Sequence, residues 1–267
     1  NVFRFDSNRL TKKSCINIAK KMLKFKPKII IGFPFDITMI AKFATEKNIS
    51  IHSPKTIITY GETLSLKRRL LLEKYYQTKI YNFFSMHECS AMISECENGN
   101  LHIIEDFGYT EILDKNDNYS DNGTLIGTSF YNYSMPLIRY KIGDQVEMEK
   151  SKCNCKRNFR IVKEIVGKQC DYIETPAGKI LGAVMSHSID NAKGVIVSQC
   201  IQDSKNHLVI KLVIDKFYNE ISEKKLEADL RKRIGNKMKI DFEMVTQLEK
   251  NMGGKTPFII SKIGNKY

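Results

Sequence analysis

The first third of the chain alternates short apolar runs with longer helical ones, and that rhythm restricts it to a parallel α/β layer. Residues 11–26 carry Ile16, Ala19, Met22 and Leu23 at helical spacing with lysines between them, which predicts an amphipathic helix. Pro27 stops it. Lys28 to Gly32 contains consecutive isoleucines, the run expected of a strand inside a parallel sheet. Gly32-Phe33-Pro34 then turns into a helix ending near Asn48. Thr56 to Tyr60 reads as a second strand, Gly61-Glu62-Thr63 as a turn, 65–77 as a basic helix and Ile80 to Phe84 as a third strand. Strand–helix–strand–helix–strand implies right-handed crossovers.

After Glu95 the rhythm changes to short strands at 101–105, 109–113, 124–130, 137–142 and 145–149, with a turn-rich link from Asp114 to Gly123. This stretch predicts a small antiparallel β-barrel. From Asp171 strands at 171–174, 195–201, 207–214 and 239–247 combine with helices near 182–192 and 222–235. They make a small α+β unit able to pack by itself. The boundary falls near Gly167 to Asp171, dividing the chain into units 1–169 and 170–267. No internal repeat or low-complexity segment interrupts them.

At 267 residues the chain can bury one good core, or a larger and a smaller one. No apolar run approaches the ~20 residues of a membrane span. The opening Asn-Val-Phe-Arg-Phe-Asp has neither an initiator Met nor an apolar leader core, so it reads as the cut end of a longer chain. A net charge of +13 raises the possibility of a polyanion partner. The lysines are spread out, however, with only short runs such as Lys67-Arg68-Arg69 and Lys224-Lys225. Aromatic residues do not alternate with basic ones as in single-strand binders. The base composition of a genome accounts for the charge first. A zinc-stabilised basic nucleic-acid-binding protein is the alternative, and binding of ATP without affinity for DNA would exclude it. The odd count of 7 cysteines suggests no disulfide scaffold and fits a cytoplasmic protein. Cys15, Cys89, Cys170 and Cys200 are scattered and read as small buried hydrophobes.

Ser129 to Asp144 reads as a strand, a turn set by Pro136, and a second strand ending at Gly143-Asp144. A carboxylate there either caps a turn or accepts hydrogen bonds from a pair of ribose hydroxyls. The longer string Pro-Leu-Ile-Arg-Tyr-x-x-Gly-Asp resembles the ribose-binding segment of the adenylate-forming enzymes. The branch is that of phenylacetate–CoA ligase and its relatives in capsular polysaccharide biosynthesis (CapK-type). Those enzymes join a carboxylate to ATP, release pyrophosphate and pass the acyl-adenylate to coenzyme A or another acceptor. The resemblance runs in order from the Gly32-Phe33-Pro34 turn to Lys255.

The resemblance implies a nucleotide site at the carboxyl ends of the three strands. Gly61, Glu62 and Thr63 match the adenine-contacting turn. Phe84-Ser85-Met86-His87-Glu88 stands where the family has Tyr-Gly-x-(Ser/Thr)-Glu. Glu88 then matches the acid that holds Mg²⁺ on the ATP phosphates; read alone, it is a first-turn helix carboxylate. Phe84, Ser85 and His87 depart from the pattern, although Phe and His preserve stacking and hydrogen bonding. Gly167-Lys168-Gln169-Cys170-Asp171 matches Gly-Arg-x-Asp-Asp, so Lys168 would contact ribose or phosphate as a point charge and Cys170 would occupy the hinge. Gly253-Gly254-Lys255-Thr256-Pro257-Phe258 resembles the loop of the adenylation lysine, which makes Lys255 catalytic. The family's Ser/Thr/Gly-rich phosphate loop is not among these residues. The resemblance therefore implies the C-terminal portion of such an enzyme, inefficient in adenylation without the part that would precede Asn1.

Cys96, His102, Cys153 and Cys155 form a candidate metal set. Cys-x5-His followed much later by Cys-x-Cys is not a standard finger spacing, and loop thiols beside a surface histidine are the other reading. In the family branch a Cys-x-Cys also precedes the domain boundary, and some relatives bind zinc with such a set. Four soft or borderline ligands would close a structural zinc site.

Overall fold

The first helix, α1 (Lys12–Phe25), starts at a capping box: Thr11 Oγ1 accepts from Ser14 N at 3.1 Å and Ser14 Oγ accepts from Thr11 N at 2.7 Å. It ends at Lys26, a left-handed cap of φ 49° whose N–H donates to Met22 O, one residue before Pro27. The computed structural model describes residues 1–6, 10–168, 172–176 and 178–263. After α1 come β1 (Ile29–Gly32), α2 (Pro34–Glu46), β2 (Thr56–Tyr60), α3 (Leu66–Tyr76) and β3 (Ile80–Ser85). The pairs β1–β2 and β2–β3 are parallel, as the alternation predicts. One expectation changes. β1 is the edge of the sheet, with Ile30 buried but Ile29 and Ile31 exposed, so it is covered on one face only.

Helix α2 is buried from Pro34 to Ala44. Its residues share one apolar cluster with Cys15, Ile18 and Met22 of α1, with Ile57 and Ile80 of the sheet, and with Ile196, Val197 and Val213 from the second half of the chain. A helix enclosed by three partners has little face to offer water, so its polar residues are paired, Lys42 with Glu46 and Thr38 Oγ1 with Pro34 O.

The next strands are β4 (Met92–Glu95), β5 (Leu101–Ile103), β6 (Gly108–Leu113), β7 (Asn122–Ser129), β8 (Tyr140–Glu149) and β9 (Ile161–Lys168). They continue the parallel layer into a nine-stranded sheet of order β1-β2-β3-β4-β5-β9-β8-β7-β6. The antiparallel strands are thus present, but the expected barrel is an open extension of the first sheet. The reason is local. β5 already pairs with β4 and with β9, so it has no edge left for β6. Across that gap Arg160 donates to Thr110 O of β6 at 2.5 Å and pairs with Glu105.

The final unit comprises β10 (Tyr172–Thr175), β11 (Gly178–Leu181), α4 (Gly182–Asp190), β12 (Val195–Ser204), β13 (His207–Ile214), α5 (Glu220–Ile234), β14 (Lys239–Met244) and β15 (Ile259–Ser261). Its sheet runs β14-β13-β12-β15. Met185, Ile189, Leu226 and Leu230 of the helices pack with Cys200, Leu208 and Ile210 of the strands. β12 also sends Ile196 and Val197 into the α2 cluster, so Val195 to Gln202 are all buried. Lys67 of α3 donates to Ala192 O at 2.8 Å and Val195 O at 2.9 Å, tying the two halves together. Among the described residues no helix is long and apolar enough to cross a membrane.

Candidate functional site

Three loops leave the carboxyl ends of β1, β2 and β3 side by side, because Gly32 is in register with Thr59 and Tyr60 with Phe83. Such an edge is where open α/β sheets place ligands. The rings of Phe33 and Tyr60 pack 5.1 Å apart at 47°. Gly61 has φ +76°, and a Cβ built on it would lie 2.8 Å from Phe33 Cε1 and 3.3 Å from Lys255 Cε. The glycine is required by both its conformation and its neighbours. The stem of exposed Lys255 therefore rests on the Gly61 turn. The Glu62 carboxylate accepts from Phe35 N at 3.1 Å through Oε2 and from Thr256 N at 2.7 Å through Oε1. Thr63 is exposed.

The third loop is a turn, not the start of a helix, so Glu88 owes nothing to a helix dipole. Asn132 Nδ2 donates to Glu88 O at 3.2 Å, and Tyr140 Oη approaches Glu88 Oε1 at 3.5 Å. Phe84 packs on the apolar cluster of the antiparallel strands, while Ser85 and His87 are exposed. Asp144 is buried, and it lies within β8 where the sequence suggested a strand end. β8 is flanked on both sides, and the register shifts in both ladders around this point: between Thr124 and Ile126 towards β7, and between Gln145 and Val146 towards β9. Gly143 (φ +88°) and Gly167 (φ +95°) supply the left-handed residues. Bulges of this kind re-aim a side chain while pairing continues. Lys168 closes β9 opposite Asp144. The hinge position Cys170 lies outside the described residues.

The metal candidates converge. Cys96 follows β4, His102 sits in β5, and Cys153 and Cys155 come from the β8–β9 loop, yet their donor atoms all lie within 4.8 Å of one another. Cys96 Sγ is 3.6 Å from Cys153 Sγ, and Cys155 Sγ is 3.4 Å from His102 Nε2. Ligands at ~2.3 Å (sulfur) and ~2.0 Å (nitrogen) from a tetrahedral zinc stand ~3.5–3.8 Å apart, so the spacing fits that ion. His102 Nδ1 is 3.1 Å from Phe159 O, and donating to that carbonyl leaves Nε2 free to ligate. The Cys155 N–H holds the Cys153 thiol down at about 6, whereas burial pushes the Cys96 thiol up. Glu95, next to Cys96, accepts from Arg69 Nη2 at 2.6 Å and Asn82 N at 2.8 Å, fastening the β4–β5 hairpin to α3 and β3.

A family model described as the CapK C-terminal domain matches residues 173–262. Protein CapK of Staphylococcus aureus is 32% identical over 250 residues, which is 91% of this chain and 55% of that protein. The chain belongs to the CapK family. It spans about half the length of that curated relative. The fold of this CapK-type chain is also that of 2-hydroxyisobutyryl-CoA ligase. In the postadenylation state with R3-HIB-AMP that ligase gives a TM-score of 0.79 at 17% identity, over 97% of this chain and 60% of the ligase. In the thioesterification state with 2-HIB-AMP and CoA the score is 0.57 at 17% identity, over 96% and 58%.

Several contacts of the CapK-type site were not foreseen. Tyr140 beside Glu88 belongs to a motif already noted, but its direction depends on β8. Buried Gln199 braces both ends of the Lys255 loop, donating to Glu249 O and Pro257 O, each at 2.9 Å. Its signal was a lone amide within the apolar run Val195 to Ile201.

Proposed function

We propose that the protein adenylates a carboxylate with ATP and Mg²⁺ and then passes the acyl group to coenzyme A or another acceptor. The observation that carries this reading is Lys255, brought from the far end of the chain onto the Gly61 turn. A carboxylate oxygen would attack the α-phosphorus as the bond to pyrophosphate breaks. Lys255 would neutralise charge growing between the two groups. Gly61 would let the backbone approach adenine, with Thr63 beside it, and Asp144 would accept from the ribose hydroxyls. Lys168 would add a point charge towards ribose or phosphate. Glu88 is the residue that would hold Mg²⁺, whose chemistry is to neutralise phosphate oxygens. Phe84, Ser85 and His87 would line the same loop. The ligase neighbour carries R3-HIB-AMP in the state this chain matches better. That preference supports residues 170–267 as a lid set for adenylation on a larger unit, 1–169. This reading includes a role in capsule biosynthesis and a place in the cytoplasm; the CapK relationship supports the first and the free thiols of Cys15 and Cys200 agree with the second.

We also assign the Cys96–His102–Cys153–Cys155 cluster to a structural zinc ion. Carboxylate-dependent exchange of labelled pyrophosphate into ATP tests the catalytic reading. The expected result is exchange with at least one aryl or short-chain acid, abolished by Asp144→Ala. Exchange absent from the whole protein across such a panel would overturn it.

A further inference from the structure

We propose that Glu62 is a positioning residue for Lys255, acting as a clamp between the two units rather than as a contact for adenine. The inference rests on the reading of Lys255 given above. Both Glu62 oxygens are engaged by backbone donors from opposite sides of the site. Phe35 N belongs to the first turn of α2, where amides lack an intrahelical acceptor and a carboxylate is favoured. Thr256 N belongs to the peptide that follows Lys255, so holding it fixes the plane from which the lysine projects. Hydrogen bonds from N–H to an ionised carboxylate are stronger than neutral ones.

The rest of the loop is built to be held at that point. Its two ends are fastened within its own unit, because Gln199 Oε1 accepts from Glu249 N at 2.9 Å while its amide reaches Glu249 O and Pro257 O. Its tip is a tight turn: Asn251 N donates to Lys255 O at 2.9 Å, Lys255 N to Asn251 Oδ1 at 3.0 Å, and Gly254 adopts φ +77°. A loop rigid at base and tip takes its direction from bonds across the unit boundary: Lys250 pairs with Asp36 near the base, and Glu62 holds the peptide that follows Lys255. Gly61 beside it provides the seat for the lysine stem. The Gly61-Glu62 pair therefore couples this turn to the lysine, with both Glu62 oxygens occupied by backbone donors.

The test compares wild type, Glu62→Gln and Glu62→Ala in the full chain by amide hydrogen exchange at Phe35 and Thr256, together with ATP affinity in the presence and absence of Lys255→Ala. Glu62→Ala is expected to speed Thr256 exchange at least tenfold and to weaken ATP about tenfold, an ordinary coupling for groups in one network. In the Lys255→Ala background the Glu62 change should then cost less than twofold. Gln keeps one acceptor but opposes the second N–H with its own amide, so it should fall between and report on a folded protein. Unchanged Thr256 protection in Glu62→Ala would overturn the clamp. Equal ATP losses in both backgrounds would also overturn it, by making Glu62 a direct contact. Should Lys255→Ala by itself leave ATP binding intact, the lysine acts only as charge grows in adenylation, its catalytic assignment is decided by the adenylation rate, and Thr256 exchange alone decides the clamp.

Discussion

Lys250 sets its ammonium against the carboxylate of Asp36, 214 positions away, with only 12% of one side chain and 3% of the other exposed. The pair sits where α2 meets the segment after β14, beside a cavity of about 220 Å³ lined by Cys15, Phe35, Met39 and Leu248. A buried pair of this kind contributes orientation more than stability, since desolvation offsets much of its attraction. Removing one partner is another matter, because it strands a charge.

Asp36→Ala and Lys250→Met should therefore each destabilise the protein by about 3–5 kcal/mol, because each leaves the other partner's charge stranded. Asp36→Leu with Lys250→Met should restore most of the loss. Chemical denaturation of the single and double variants checks this. A double variant as unstable as Asp36→Ala would show that the pair is irreplaceable for packing.

The proposed zinc site would join the β4–β5 hairpin to the loop that precedes β9. Structural zinc contributes on the order of 10 kcal/mol in small sites, and would contribute less here because the described residues already form three apolar clusters. Cys153→Ser should release the metal and lower Tm. Cys200→Ser should keep the metal, although a hydroxyl in that buried position lowers Tm by its own route. Acid should weaken the site because protons compete for the thiolates. Metal analysis of protein purified without chelator provides the check, with about one equivalent of zinc per chain expected.

The parallel layer was legible because its strands and helices differ in period and are separated by Pro27, Gly32 and Gly61. The open sheet was not. The partner of β6 depends on whether β5 has a free edge, and no residue of β6 records that. β8 was read as two strands since Gly143 looks like a turn, whereas two flanking strands hold it in one ladder with bulges. Loop residues such as Glu62 were visible as a motif, but their partners Phe35 and Thr256 follow from how two units dock. Cys96, His102, Cys153 and Cys155 were found by residue type, and their approach depends on β5 pairing with β9.

Gly61→Ala should damage nucleotide binding far more than folding. The left-handed backbone costs an alanine about 1 kcal/mol, and its methyl group would meet Phe33 at 2.8 Å. Phe33 must then move off Tyr60, disturbing the floor under Lys255. A loss of ATP affinity of about tenfold or more is expected, with Tm falling by only a few degrees. Isothermal titration alongside thermal melts separates the two effects.

These 267 residues contain no Ser/Thr/Gly-rich phosphate loop. On their own they should bind adenine nucleotide weakly through Gly61, Asp144 and Glu88, without turnover. Pyrophosphate release at a rate typical of enzymes, above ~1 s⁻¹, would count against this.

Lys255→Ala gives the sharpest test of mechanism, because the two half-reactions need the lysine differently. In adenylation, negative charge grows between carboxylate and α-phosphate, and a cation placed there lowers the barrier. Transfer from a preformed acyl-adenylate breaks the acyl–phosphate bond after that step is complete. The substitution should thus slow adenylation by ~10²–10³-fold, the range for removing one electrostatic stabiliser, and slow transfer less than tenfold. The side chain is exposed and its stem touches Gly61, so stability should change by under ~0.5 kcal/mol. Single-turnover measurements of each half-reaction in the whole protein provide the comparison. Equal losses in both would remove Lys255 from its catalytic role and leave it as one more surface lysine.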